Sequence, residues 1–204
     1  DTPDHSRRTF NLNLANWIPD LFMQRVDSEG MWSLFSPDDE DVKALTKLYD
    51  APENDYAFTK AYLALEAKYE GKKGAKKIRA RELYARMMKT LQETGNGWMT
   101  WKDSVNRSSA QVTDSNDRIV RSSNLCSEVT LTVNENETAV CNLGSLNLGR
   151  FVTNGTIDWD RLATRTRQAI RGLDRVIDIN FYPIPEAETS NKKWRPIGLG
   201  VMGL

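Results

Sequence analysis

Apolar residues recur at helical spacing near the start of the chain. Trp17, Ile18, Leu21, Phe22 and Val26 predict a helix over residues 16–26, with Pro19 in its first turn, where a missing N–H costs little. Residues 32–35 form a short apolar stretch. Ser36-Pro37-Asp38-Asp39 combines a capping hydroxyl, a proline and two acids, and so predicts a helix start, with the helix running to about Tyr49. A further helix is expected over residues 56–69, ended by Gly71. Beyond it, Ile78, Leu83, Tyr84, Met87, Met88 and Leu91 share one side of a helix closed by Gly95 and Gly97. Residues 98–101 read as a short strand. Residues 102–125 are rich in Ser, Asn and Asp without a period, and read as a loop. Val129, Leu131 and Val133 alternate, which predicts a strand over residues 128–133, with a turn at residues 134–137. Residues 139–151 give a mixed signal. Asp158 caps a helix with Leu162, Ala169, Ile170, Leu173, Val176 and Ile177 on one face, and Pro183 and Pro185 follow its end. Residues 197–204 are strand-like. Helices outnumber short apolar strands, so the expected class is α/β.

Charge and composition narrow the function. The 204 residues carry 28 Lys+Arg against 28 Asp+Glu, a net charge of zero. Such a chain has no basic field to hold a nucleic-acid backbone or an anionic membrane. The basic run Lys72, Lys73, Lys76, Lys77, Arg79 and Arg81 invites a phosphate-binding reading. The amphipathic pattern behind it favours the solvated face of the following helix. No run of 18 or more apolar residues and no signal-peptide pattern occurs, so neither a membrane span nor a secretory leader is expected. The apolar, Gly-rich stretch from Pro196 to Leu204 reads as a chain cut inside a core element. The expectation is a piece of a larger domain.

Two motifs invite chemistry. Gly198-Leu199-Gly200-Val201-Met202-Gly203 matches G-x-G-x-x-G, but lacks the strand before and the helix after that a dinucleotide site needs. A buried Gly-rich strand is the better reading. The two cysteines, Cys126 and Cys141, cannot form a disulfide scaffold, and with the lone His5 cannot fill a zinc site without carboxylates; no metal is expected. They could be small core residues, a structural disulfide, or reactive thiols. If the segment around Cys126 is extended, Asn124, Cys126 and Glu128 point to one side. An amide, a thiol and a carboxylate would then line one wall, a set suited to a reaction site.

Asn124-Leu125-Cys126-Ser127-Glu128, followed by Ala139-Val140-Cys141-Asn142-Leu143-Gly144-Ser145-Leu146-Asn147-Leu148, resembles the active-site finger loop of the ribonucleotide reductase large (catalytic) subunits. Trp17-Ile18-Pro19-Asp20-Leu21-Phe22-Met23, Lys102-Asp103-Ser104 with Asn106-Arg107, and the segments from Asp178 to Pro183 and from Ser190 to Val201 resemble other stretches of that family, in its order. The resemblance implies a single partial domain over residues 1–204, the middle of a ten-stranded α/β barrel, with the finger loop at about residues 122–150. The Gly198–Gly203 run is then a barrel strand.

The family reduces ribonucleotides to 2′-deoxyribonucleotides by radical chemistry, making DNA precursors. By resemblance, Cys126 becomes the thiyl radical that takes the 3′ hydrogen, Glu128 is the general base for the 3′-hydroxyl, and Asn124 hydrogen-bonds the sugar. Residues Asn124, Leu125, Cys126, Ser127 and Glu128 would face the substrate. Cys141 matches one half of the redox-active pair, whose partner is absent from this sequence. Leu125 and Ser127 flanking Cys126 resemble the class served by a dimetal, tyrosyl-radical small subunit, and hence diphosphate substrates; the cobalamin-dependent class is the alternative. No cofactor is expected on this segment. The implied partners are the nucleotide, the small (beta) subunit, a second large subunit, thioredoxin or glutaredoxin as reductant, and ATP or dNTP effectors, in the cytoplasm. The segment alone is expected to be inactive. The rival reading is a nucleotide-binding or interaction module with inert cysteines.

Overall fold

The computed structural model of the chain describes residues 12–49, 57–72, 75–95, 97–112 and 118–204. His5, Tyr56, Lys73 and residues 113–117 of the expected loop lie outside them. The chain divides into two compact units, Asp1–Leu131 and Thr132–Leu204. Each mixes helices with paired strands, the expected α/β class. Among the described residues the strands form four two-stranded sheets, and no barrel closes.

In the first unit, β1 (Ala15–Ile18) pairs in parallel with β4 (Trp98–Trp101), with Ala15 opposite Trp98. Between them run α1 (Asp20–Asp27), β2 (Met31–Phe35), α2 (Glu40–Tyr49), α3 (Ala57–Lys68), β3 (Ala75–Arg79) and α4 (Ala80–Thr94). The single helix expected over residues 16–26 is therefore a strand and then a helix. Pro19 is the joint. A proline disfavours helical backbone in the residue before it, so Ile18 stays extended and Pro19 itself caps α1. α2 likewise starts later than Ser36. Asp39, not the serine, accepts the Asp41 backbone N–H at 2.9 Å. Lys76, Lys77, Ile78 and Arg79 lie on β3, antiparallel to β2, rather than on a helix; the basic side chains among them are exposed.

Two apolar clusters hold this unit. One gathers Leu21, Leu45, Phe58, Tyr62 and Leu65, the other Ile18, Phe22 and Ala80. A polar knot links α1, β2 and α3. The Arg25 guanidinium bonds both Glu66 carboxylate oxygens and lies 5.2 Å over the Tyr62 ring. Ser33 Oγ donates to Glu66 at 2.6 Å, and the Tyr62 hydroxyl donates to the Ser33 carbonyl at 2.9 Å. Burial pushes the Glu66 carboxyl up, but the bonds from Arg25 and Ser33 outweigh it and hold it below the usual carboxylate range. A carboxyl depressed in the folded state stabilises above its unfolded value, and that contribution disappears as pH falls through the folded one. Urea midpoints of the wild type and Glu66→Gln should therefore differ at pH 7 and converge in acid. A constant offset across pH would remove this ionisation from the stability of the unit.

The expected loop over residues 102–125 contains a helix, α5 (Lys102–Ser108). Its inward residues are polar, which is why no apolar period announces it: Lys102, Asp103 and Asn106 are buried. Asn106 exchanges two hydrogen bonds with the Val120 backbone, at 3.0 and 2.9 Å. Asp103 Oδ2 accepts the Asp20 backbone N–H at 2.6 Å, at the start of α1.

In the second unit, β5 (Asn142–Asn147) pairs in parallel with β8 (Ile197–Met202). Between them lie a 3₁₀ turn (Leu148–Phe151), β6 (Val152–Thr153), β7 (Thr156–Ile157), α6 (Trp159–Ile179) and α7 (Pro185–Trp194). Asp158 caps α6 as expected, accepting the Arg161 N–H at 3.0 Å. Leu162, Ala169, Leu173 and Ile177 form the shielded line of α6, and Leu173 lies against Gly144; Ile170 and Val176 turn out to be exposed. α7 opens on Pro185, and had no apolar pattern to reveal it. The strand expected over residues 128–133 does not form, whereas the turn at residues 134–137 does, closed by Asn134 N–H to Glu137 O at 3.0 Å. The Gly198–Gly203 motif is a strand after a helix, not a phosphate loop. The burial expected for it is absent at its end, where Val201 is 57% exposed. No helix among the described residues is long and apolar enough to cross a membrane.

Candidate active site

Asn124, Cys126 and Glu128 sit on a tight turn, not on the extended segment expected from their alternation. The Ser127 N–H donates to the Asn124 carbonyl at 3.1 Å, and Ser127 adopts a φ of +65°. Ser127 carries no turn signature of the Gly or Asn kind, so the sequence pattern gave no warning. The reversal does what extension could not. It swings Glu128 back toward Asn124, and the Asn124 Nδ2 donates to Glu128 Oε1 at 2.6 Å.

Asn124 is the hub of the turn. Its side-chain oxygen accepts the Val129 N–H at 3.2 Å, and its backbone carbonyl also accepts the Trp98 indole N–H at 2.8 Å. Ser123 Oγ donates to the Val129 carbonyl at 2.7 Å, closing the base of the loop. Cys126 lies within the turn, between the bonded pair in sequence, with a free and exposed thiol. Leu125 beside it is 68% exposed. Ser127 Oγ donates to the Cys126 carbonyl at 2.7 Å, so that hydroxyl is directed at the backbone of the preceding residue.

Cys141 belongs to the second unit. It immediately precedes β5, and its thiol is also free and exposed. Neither thiol is a core residue of its unit. The residue after Cys141 is firmly anchored. Asn142 is buried, and its Nδ2 donates to Asn191 Oδ1 and to the Pro196 carbonyl, both at 2.8 Å. Asn191 in turn donates to the Tyr182 hydroxyl at 2.6 Å, and that hydroxyl donates to the Ile177 carbonyl at 2.7 Å. Sequence reasoning passed over Trp98, Asn142 and Asn191 as supports. For Asn142 a signal existed: a polar amide opening a strand, next to a cysteine.

The turn offers a hydrogen-bond donor, a carboxylate able to take a proton, and a sulfur able to exchange hydrogen or electrons. Among the described residues no three His, Cys, Asp or Glu side chains group as a metal site.

A family profile described as ribonucleotide reductase, barrel domain, matches residues 1–204. The ribonucleoside-diphosphate reductase subunit alpha of Chlamydia pneumoniae is 46% identical over 205 residues, covering 100% of this chain and 19% of that protein. The ribonucleoside-diphosphate reductase large subunit of Danio rerio is 39% identical over 206 residues, covering 100% of this chain and 24% of its own length. That of vaccinia virus (strain Copenhagen) is 40% identical over 205 residues, with 100% and 25% covered. The chain thus spans about a fifth to a quarter of the length of these relatives.

Proposed function

Because the chain belongs to the ribonucleotide reductase family, as a segment of its barrel domain, we propose that the intact protein reduces ribonucleoside diphosphates to 2′-deoxyribonucleoside diphosphates at the Cys126 turn. The observation that carries this reading is the 2.6 Å bond between Asn124 and Glu128 across a turn that leaves the Cys126 thiol exposed.

In this reading Cys126, as a thiyl radical, takes the 3′ hydrogen atom of the ribose. Glu128 takes the 3′-hydroxyl proton, and Asn124 holds the sugar by hydrogen bonding, which helps the substrate radical lose its 2′-hydroxyl as water. A dithiol containing Cys141 supplies two electrons and two protons, one proton leaving with the 2′-hydroxyl as water and the other going to C2′, and becomes a disulfide; Glu128 returns its proton to the 3′ oxygen, and Cys126 returns its hydrogen atom to C3′. A substrate hydroxyl entering the turn replaces the Asn124–Glu128 bond with its own two bonds, so neither polar group is stranded. A dimetal small subunit supplies the radical, thioredoxin or glutaredoxin resets the disulfide, ATP or dNTP effectors act on parts of the protein beyond this chain, and a second large subunit completes the dimer. Free, exposed cysteines suit the reducing cytoplasm. The segment by itself lacks the second redox cysteine and does not turn over.

The test is nucleotide reduction by the intact protein with its small subunit and a dithiol. Glu128→Gln keeps the acceptor oxygen and the turn but removes the base. It should lower kcat by about 10²-fold or more, the range for a lost general base, while Cys126 still alkylates at the wild-type rate. A kcat within threefold of wild type would remove Glu128 from proton transfer.

A further inference from the structure

We propose that Trp98 is a positioning residue for the Cys126 turn, acting through the bond from its indole N–H to the Asn124 carbonyl. The inference rests on the reading of that turn as the reaction site. Asn124 presents its side-chain amide to Glu128 while its backbone carbonyl is held at 2.8 Å by Trp98 Nε1. The two ends of one residue cannot move independently. Without the Trp98 bond the carbonyl keeps only the Ser127 N–H and the side-chain oxygen the Val129 N–H, both bonds within the turn, so the turn loses its tether to β4 and the direction of the Glu128 carboxylate loosens with it.

Trp98 is itself immobilised. Its backbone N–H donates to the Leu14 carbonyl at 3.1 Å, and its carbonyl accepts from Asn16 Nδ2 at 3.4 Å. Its ring meets Trp17 edge-on, with centroids 6.2 Å apart at 75°. Gly97, with a φ of +94°, lets the chain approach this strand pair; a side chain there would run into the Leu14 carbonyl. Trp98 therefore carries the position of the β1–β4 ladder to a loop with no ladder of its own. The contact spans 26 residues of sequence. A side chain kept only for packing does not need its N–H aimed at the hub residue of the turn.

Two variants of the intact protein test this. Trp98→Phe removes the N–H and part of the ring. Replacement of Trp98 by 3-benzothienylalanine keeps the bicyclic ring and puts sulfur in place of the N–H alone, which guards against misfolding. Each should lower kcat about threefold to tenfold, the effect of one lost hydrogen bond, with KM within twofold. Amide exchange across residues 124–129 should quicken in step, without change in β1. Unchanged kcat with the benzothienyl variant, or unchanged exchange in the turn, would overturn the proposal. The exchange measurement needs no turnover. If nucleotide reduction survives loss of the Cys126 thiol, the functional reading falls, and quickened exchange would still show the tether itself.

Discussion

Cys126→Ser in the intact protein is expected to abolish nucleotide reduction with every reductant, by at least the several orders of magnitude that separate a catalysed step from background. A serine hydroxyl is nearly the size of the thiol but holds its hydrogen far more strongly, so it cannot act as a recyclable hydrogen-atom carrier. The loss is chemical, because the turn does not depend on the sulfur. Its bonds run through Asn124, Ser127, Glu128, Val129 and Trp98, and the Cys126 side chain is exposed. The variant should therefore unfold at the wild-type urea midpoint and retain nucleotide affinity. The comparison with Cys141→Ser separates the two thiols. That variant should still form and consume a radical but complete no reduction and inactivate, because the pair that supplies the two electrons is broken while the hydrogen-atom carrier is intact. Appreciable multiple turnover by Cys126→Ser would overturn the assignment of the turn.

How much of this was legible in the sequence depends on what each segment uses to hold itself. α6 was readable because its cap is an aspartate and its inner line is apolar: Asp158 bonds the Arg161 N–H, and Leu173 and Ile177 face inward. α5 was not, because it is anchored by Lys102, Asp103 and Asn106, residues that hydropathy assigns to solvent. The β1–α1 junction was misread as one helix, although Pro19 marked the break. The residues of the candidate site come from the resemblance, but their geometry was not legible. Alternation placed Asn124, Cys126 and Glu128 on one side of a strand, while the molecule brings the first and third together by a turn whose left-handed residue is Ser127. The supports were least visible of all. Trp98 reaches Asn124 and Asn142 reaches Asn191 across 26 and 49 residues, and local periodicity carries no record of such pairings.

Asp103→Ala is expected to destabilise the first unit by about 3–5 kcal/mol, the cost of leaving one partner of a buried ion pair alone. Lys102 and Asp103 are each 2% exposed. Their charged ends lie 2.6 Å apart, with Lys102 Nζ also 5.1 Å over Tyr49 and 5.8 Å over Phe58. The ammonium approaches Asp103 Oδ1 off the axis of an aligned hydrogen bond, so their attraction is coulombic. Ring faces alone cannot replace a carboxylate, since a cation–π contact contributes about 0.5–2 kcal/mol. The other oxygen of Asp103 accepts the Asp20 N–H at 2.6 Å, and its loss leaves that donor bare at the start of α1. Lys102→Met combined with Asp103→Leu should recover part of the loss, because the charges leave together. It should not recover the share belonging to the Asp20 N–H. Urea unfolding of the single and double variants, read by tryptophan fluorescence, measures both terms. A cost below about 1 kcal/mol for Asp103→Ala would mean that water reaches the pair, as at a surface salt bridge. A large cost makes α5 the clamp between α1 and the strand β4 that ends beside it, and β4 is the strand whose Trp98 bonds the Asn124 carbonyl of the candidate turn.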